Sequence, residues 1–101
     1  MFFLRSQAAM SDEQKLVSGD TNSARELFQS NCARCHGADG RSQTELGKLY
    51  DSPDLTDGRI QKLSRKRLIS FISKGKGGMP SFRKRLSSKE IASLVEYVRS
   101  F

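Results

Sequence analysis

Cys32-Ala33-Arg34-Cys35-His36 is the most informative segment of this chain of 101 residues. Cys-x-x-Cys-His is the sequence to which a c-type haem is attached. Residues three apart lie on the same face of a helical turn, so both sulfurs can bond the vinyl groups along one haem edge. The chain contains 2 Cys and 1 His, which leaves no thiol or imidazole for a separate site. The segment predicts one covalent haem c, attached through Cys32 and Cys35, with His36 as an axial ligand of the iron.

Other uses of the two cysteines stay open, but each needs a feature that the sequence lacks. A structural zinc site takes four Cys or His ligands, whereas this chain offers three within five residues. A thioredoxin-like dithiol follows a strand inside a βαβ unit, and no segment before Cys32 alternates like a strand. A structural disulfide would leave His36 without a role.

A methionine in a glycine-rich loop is the candidate for the second axial ligand. Met79 lies in Lys74-Gly75-Lys76-Gly77-Gly78-Met79-Pro80. The glycines permit a tight path close to a flat ligand, and Pro80 keeps Met79 out of a helix. The alternative is that Met79 fills a core, which its polar surroundings disfavour. Ligation of haem iron by His36 and Met79 would raise the reduction potential. Met1 and Met10 lie in a segment without pattern.

Two amphipathic helices are expected towards the two ends of the chain. Asp20 can N-cap a helix that runs to about Asn31. Further on, Ser87 and Glu90 form a capping box. The apolar residues that follow it have the i, i+3, i+4, i+7 spacing of a buried helical stripe: Ile91, Leu94, Val95 and Val98.

Two further helices are expected between these. Ser64 is placed to N-cap a helix from Arg65 to Lys74, which Gly75 would end. A shorter turn from Asp57 to Lys62 would be capped by Thr56. Because no segment alternates like a strand, the sequence predicts an all-α fold.

In combination, the attachment motif, the Gly-Met-Pro segment and the C-terminal amphipathic helix resemble class I cytochromes c. The chain is similar to the small monohaem electron carriers of bacterial periplasms and algal lumens. The resemblance covers Asp20 to Phe101 and implies a small cytochrome c fold of three to five helices around one haem. In that family the first and last helices cross through small and aromatic residues. Here the candidates are Ala24, Phe28, Leu94 and Tyr97.

The same resemblance extends to the surroundings of the haem. A proline carbonyl often accepts the ring N–H of the ligating histidine, and Pro53 could do so for His36, unless it is a simple turn proline. Leu68 and Phe82 are candidates for the haem wall, and Lys62, Lys74 and Lys76 are candidate donors to the propionates. The wider set of candidate wall residues comprises Leu46, Leu49, Leu55, Ile60, Ile72 and Leu86.

Charge is distributed unevenly along the chain. The formal net charge is +7, but residues 1–58 carry 6 basic and 9 acidic side chains, whereas residues 59–101 carry 12 and 2. From Arg59 to Lys89 there are 11 basic side chains and no acidic one. A basic face beside the exposed haem edge would steer acidic redox partners towards it. The alternatives are a generic solvated surface or attraction to an anionic membrane. Nucleic acid is disfavoured because no aromatic residues interleave these charges in a recognised binding pattern.

The function implied by the resemblance is soluble one-electron transfer by a monomer, without enzymatic turnover or a small-molecule substrate. Haem attachment of this kind follows export, so the expected location is the periplasm, a thylakoid lumen or another exported compartment. One alternative is a haem module of a larger respiratory or dehydrogenase complex. Another is a haem enzyme or ligand-binding protein, which would require that Met79 does not bind iron. Residues 1–19 are expected to be a flexible arm, either a remnant of a signal or tether, or residues added for expression.

Overall fold

Six helices follow one another in the computed structural model, which describes residues 21–101. In chain order they are α1 Thr21–Asn31, α2 Ala33–His36, α3 Glu45–Leu49, α4 Gly58–Gln61, α5 Arg65–Lys74 and α6 Ser88–Arg99. Within residues 21–101 the only β-type pairing is an isolated antiparallel bridge between Lys76 and Met79. The all-α prediction is confirmed. The expected arm, residues 1–19, and the Asp20 cap lie outside the described residues.

The crossing of α1 with α6 forms the centre of the domain. Ala24 and Phe28 of α1 are buried, as is Leu94 of α6. The rings of Phe28 and Tyr97 lie 5.2 Å apart between centroids. The ring of Phe101 lies 5.3 Å from each of these two rings. The predicted contact is therefore confirmed, and Phe28, Tyr97 and Phe101 form an aromatic trio at its end.

Helix α5 begins and ends, and helix α6 begins, where the sequence indicates. The Ser64 hydroxyl accepts a hydrogen bond from the Arg67 amide at 3.1 Å. At the other end of α5, Gly75 has a φ of 75°, a conformation that favours glycine. The capping box of α6 is present, with the Glu90 amide donating to Ser87 Oγ at 3.0 Å. The Ser87 amide donates in return to Glu90 Oε1 at 2.8 Å. No helix in residues 21–101 is both long enough and apolar enough to span a bilayer.

The prediction for α4 was wrong about its cap. Asp57, not Thr56, is the N-cap residue, and its carboxylate accepts the Arg59 amide at 2.9 Å. Thr56 uses its own amide and hydroxyl as donors to Asp54 Oδ1, at 2.8 and 2.6 Å. Because the Thr56 hydroxyl is bonded to Asp54 in this preceding turn, the carboxylate one position later caps the helix.

Helix α3 was not predicted, and it connects the attachment motif to the rest of the fold. Thr44 caps it by accepting the Gly47 amide at 2.8 Å, and the same hydroxyl donates to the Cys35 carbonyl at 2.8 Å. A Cβ on Gly47 would lie 2.5 Å from the carbonyl oxygens of Cys35 and Ser42. Helix α3 therefore packs its backbone directly against the loop that follows the motif.

Candidate functional site

One cavity of about 750 Å³ lies between the helices, and it collects the predicted iron ligands. Cys32, His36 and Met79 all line it. Its volume falls within the range of pockets that hold cofactors and drug-sized ligands. Most of the remaining lining is apolar, including Phe28, Leu55, Leu68, Ile72, Leu94 and Val98. Met79 is distant from Cys32 and His36 in the sequence, and the fold brings all three to one cavity.

The His36 ring is oriented by a hydrogen bond from its Nδ1 atom. His36 ends α2 and is buried. Its Nδ1 lies 3.2 Å from the Pro53 carbonyl oxygen. A carbonyl can only accept, so Nδ1 carries the hydrogen and the lone pair belongs to Nε2. Burial lowers the pKa of His36, with the Pro53 hydrogen bond opposing this effect. A neutral imidazole with a free Nε2 is the form that binds a metal.

Ser42 belongs to the same network and was missed by sequence reasoning. Its hydroxyl donates to the Pro53 carbonyl at 2.5 Å, and its Oγ lies 3.1 Å from His36 Nδ1. Because the Ser42 proton is directed to Pro53, Oγ acts as an acceptor towards Nδ1–H. Nothing in the sequence marks this serine, since it follows His36 by six positions in a segment without periodicity.

The two cysteines are free thiols, both partly buried. Cys32 lines the cavity, whereas Cys35 is not among its lining residues. Burial, together with the nearby Cys35, raises the pKa of Cys32 to about 12. Redox-active dithiols depend on a lowered pKa, so the environment of Cys32 is opposite to theirs. In residues 21–101 no group of three or more His, Cys, Asp or Glu side chains could hold a metal ion.

The loop that carries Met79 is shaped by its glycines. Lys76 and Met79 exchange two backbone hydrogen bonds, of 3.0 and 2.9 Å, and Gly77 between them has a φ of 57°. A Cβ on Gly75 would lie 2.5 Å from the Met79 carbonyl oxygen, and one on Gly78 would lie 2.6 Å from the Tyr50 ring. Met79 is partly buried and also packs against the core. The loop thus presents its thioether side chain to the cavity.

The candidate wall residues separate into two groups. Leu55, Ile60, Leu68 and Ile72 line the cavity. Phe82 does not line it, because its ring is buried in the core, with the Arg85 guanidinium 4.7 Å from the ring centroid. The remaining candidates that lie off the cavity lining are Leu46, Leu49 and Leu86.

Polar and aromatic residues at the cavity were only partly anticipated. Of the three lysines named as propionate donors, Lys76 lines the cavity, and Lys62 and Lys74 do not. Arg59, Tyr50 and Phe71 also line it and were not identified from the sequence. Phe71 belongs to the helix predicted from Arg65 to Lys74, and Tyr50 lies in a loop where no pattern applies.

The basic run forms an exposed surface. All 11 basic side chains between Arg59 and Lys89 are exposed. Within residues 21–101, Arg59 pairs with Asp57 at 3.2 Å and Arg65 with Glu96 at 3.8 Å, and the other nine have no carboxylate partner. Arg67 and Lys76 each lie 5.5 Å from the centroid of Phe71. Because Phe71 and Lys76 line the cavity, part of this positive surface borders the site.

Comparison with known proteins gives consistent matches. The family model described as cytochrome c oxidase, cbb3-type, subunit III matches residues 19–98. The cbb3-type cytochrome c oxidase subunit FixP of Azorhizobium caulinodans is 39% identical over 81% of this chain and 28% of its own length. Cytochrome c6 of Bryopsis maxima is 36% identical over 79% of this chain and 90% of its own length. The solved KustC0563 c-type cytochrome has a TM-score of 0.72 and 34% identity, covering 77% of this chain and 95% of that one. The chain therefore spans less than a third of FixP but most of the small cytochromes.

Proposed function

The chain belongs to the cytochrome c family whose model is described as cytochrome c oxidase, cbb3-type, subunit III, and from that premise we propose that His36 and Met79 hold the haem iron of a one-electron carrier. The haem c, which is covalent in this family, supplies reversible one-electron chemistry at iron. The relatives named cytochrome c6 and cbb3-type subunits are electron carriers rather than enzymes, and so is this chain. Cys32 and Cys35 would bind the haem edge through thioether bonds. The haem-carrying domain would comprise residues 20–101, leaving residues 1–19 as an arm.

One observation carries this proposal: Cys32, His36 and Met79 line the same apolar cavity. His36 offers Nε2 because the Pro53 carbonyl engages Nδ1–H. Met79 offers a thioether from a loop whose path depends on its glycines. If His36 and Met79 both bound the iron, no position would be left on it for oxygen or peroxide. The residues of the chain would then bind and orient the haem and exclude water from it.

The test is substitution of Met79 with a matched control in the same cavity. Met79→Ala should lower the reduction potential, abolish the weak long-wavelength band of methionine-bound ferric haem, and admit cyanide at neutral pH. Ile60→Ala, which also shortens a cavity-lining side chain but removes no donor atom, should keep the band. An unchanged spectrum and potential in Met79→Ala would rule out the ligand assignment. Haem that stays on the polypeptide in acid-acetone supports the thioether bonds, and haem that is extracted contradicts them.

We further propose that acidic redox partners dock on the basic surface where it borders the cavity. Lys76 is the main candidate for a contact with the partner, since it lines the cavity and lies beside Phe71. The unpaired cations would speed encounter with a negative face, and salt would screen this effect. Arg85, another exposed cation of the same run, lies over the buried Phe82 ring and does not line the cavity.

Charge reversal tests the docking proposal. Lys76→Glu should slow reduction by an acidic redox protein several-fold at low salt, with little effect on a small neutral reductant. Lys89→Glu changes an exposed charge of the same run that does not line the cavity, and should slow the protein reaction less. Equal slowing by both variants, or equal slowing with both reductants, would refute a localised docking site.

A second candidate function is that of a haem domain in a larger respiratory subunit. The family description and the relative FixP favour it, because the chain covers 28% of that oxidase subunit. Cytochromes c6, of which the chain covers most, favour a diffusible carrier in an exported compartment, and we assign it to the periplasm. Immunoblots of fractionated native cells separate the two. A soluble periplasmic band near 11.3 kDa supports the carrier, and a larger membrane-bound band supports the domain.

A further inference from the structure

The Pro53 carbonyl has two donors competing for it. His36 Nδ1–H approaches it at 3.2 Å, and the Ser42 hydroxyl approaches it at 2.5 Å. The Nδ1 atom is also 3.1 Å from Ser42 Oγ, so its hydrogen is shared between two acceptors. The shorter contact belongs to the serine. The Pro53 carbonyl therefore divides its acceptor strength between the Ser42 hydroxyl and His36 Nδ1–H.

The position of Ser42 is built into the fold. Its side chain is buried, and its φ of 61° is uncommon for a residue with a Cβ. Its amide donates to the His36 carbonyl at 2.7 Å, and its own carbonyl faces Gly47 of α3 at a distance that excludes a Cβ. A residue keeps such a conformation only where its surroundings hold it there. The hydroxyl is thus held against Pro53.

We propose that Ser42 is a positioning residue that raises the reduction potential by weakening the hydrogen bond from His36 Nδ1–H to the Pro53 carbonyl. A stronger acceptor at the outer nitrogen makes a ligating imidazole more basic, and a more basic ligand stabilises the ferric state. By occupying the carbonyl, the Ser42 hydroxyl limits that basicity and favours the ferrous state. This inference rests on the proposed ligation by His36, and it involves no transfer of a proton.

Two substitutions separate the hydroxyl from the backbone at this position. Ser42→Gly removes the hydroxyl and accepts the φ of 61° without strain. We expect its equilibrium constant for reduction to fall by roughly tenfold, equivalent to a potential lower by about 59 mV for a one-electron couple. Ser42→Thr retains the hydroxyl but adds a methyl group at a strained φ, so it should lose stability while its potential stays near that of the wild type.

The direct readout is the proton NMR signal of His36 Nδ1–H in the reduced protein. In Ser42→Gly it should move downfield, because the bond to Pro53 becomes stronger, and in Ser42→Thr it should stay in place. An unchanged or higher potential in Ser42→Gly would overturn the inference, as would a fall of equal size in Ser42→Thr. If the wild type itself lacks the spectrum of a histidine- and methionine-ligated haem, the proposed function fails and the inference with it. If that spectrum is present and Ser42→Gly has no effect, only the inference fails.

Discussion

Gly47→Ala should destabilise the domain far more than the addition of one methyl group suggests. A Cβ at this position would lie 2.5 Å from the carbonyl oxygens of Cys35 and Ser42, and 2.9 Å from Thr44 Oγ1. The two carbonyls belong to backbone that cannot rotate away, and both are held in the structure around the attachment motif. Relief of the clash requires α3 to move away from that segment.

The expected loss of unfolding free energy follows from the way packed interiors respond to extra atoms. Forcing a methyl group into a filled site costs about 1–3 kcal/mol, and immovable backbone places this case near the middle of that range or above. For a domain of this size, about 2 kcal/mol lowers Tm by roughly 8–16 °C. Gly58→Ala is the matched control, since a Cβ there meets nothing within 4 Å. That substitution should leave stability unchanged or raise it by about 0.4–1 kcal/mol.

Thermal and guanidinium unfolding of the haem-loaded variants, followed by far-ultraviolet circular dichroism, gives the comparison. The order of stability should be Gly58→Ala at or above wild type, and Gly47→Ala well below it. A Tm for Gly47→Ala within about 2 °C of wild type would refute the reasoning. The close packing of α3 against the motif loop would then play no part in stability.

Three further results are expected. Phe28→Ala, which removes one of the three rings of the aromatic trio at a site 1% exposed, should cost about 3–5 kcal/mol of unfolding free energy. A loss below about 1 kcal/mol in denaturant titrations would show that the trio is dispensable. The Arg59 amide and guanidinium lower the pKa of Asp57, so its stabilising effect is complete above the ordinary carboxyl pKa and is lost as pH falls through the folded value. Asp57→Asn keeps a capping side chain but should flatten the loss of Tm below about pH 4, and an identical pH profile would contradict this. The haem-free chain should show little helical circular dichroism, because a cavity of about 750 Å³ lies within its apolar core, and a native helix signal would contradict a structural role for the haem.

Sequence reasoning succeeded where the signal is local. Ser64 and Ser87 are caps followed at once by an apolar stripe, so α5 and α6 could be delimited by short-range rules. The crossing of α1 with α6 was accessible because the resemblance supplied the pairing. The error at Thr56 arose because two adjacent residues could both cap, and the bond to Asp54 that decides between them depends on the preceding turn.

The surroundings of the site could not be derived in the same way. Ser42 reaches Pro53 through a backbone turn with positive φ. Serine rarely adopts this conformation, and no neighbouring residue in the sequence predicts it. Phe82 has the apolar character of a wall residue, yet composition cannot tell a core position from a cavity position. Tyr50 is half exposed and still lines the cavity, a combination that depends on where the Met79 loop crosses it.

Helices α1 and α6 stand at opposite ends of the described chain and close on each other through Phe28, Tyr97 and Leu94. Every residue that lines the cavity falls within the stretch these helices bracket, from Phe28 to Val98. Until the last helix lies against α1, the cavity lacks the part of its wall that Leu94 and Val98 supply. We therefore expect a haem to enter the cavity before α6 docks, so that its attachment through Cys32 and Cys35 would precede closure of the fold.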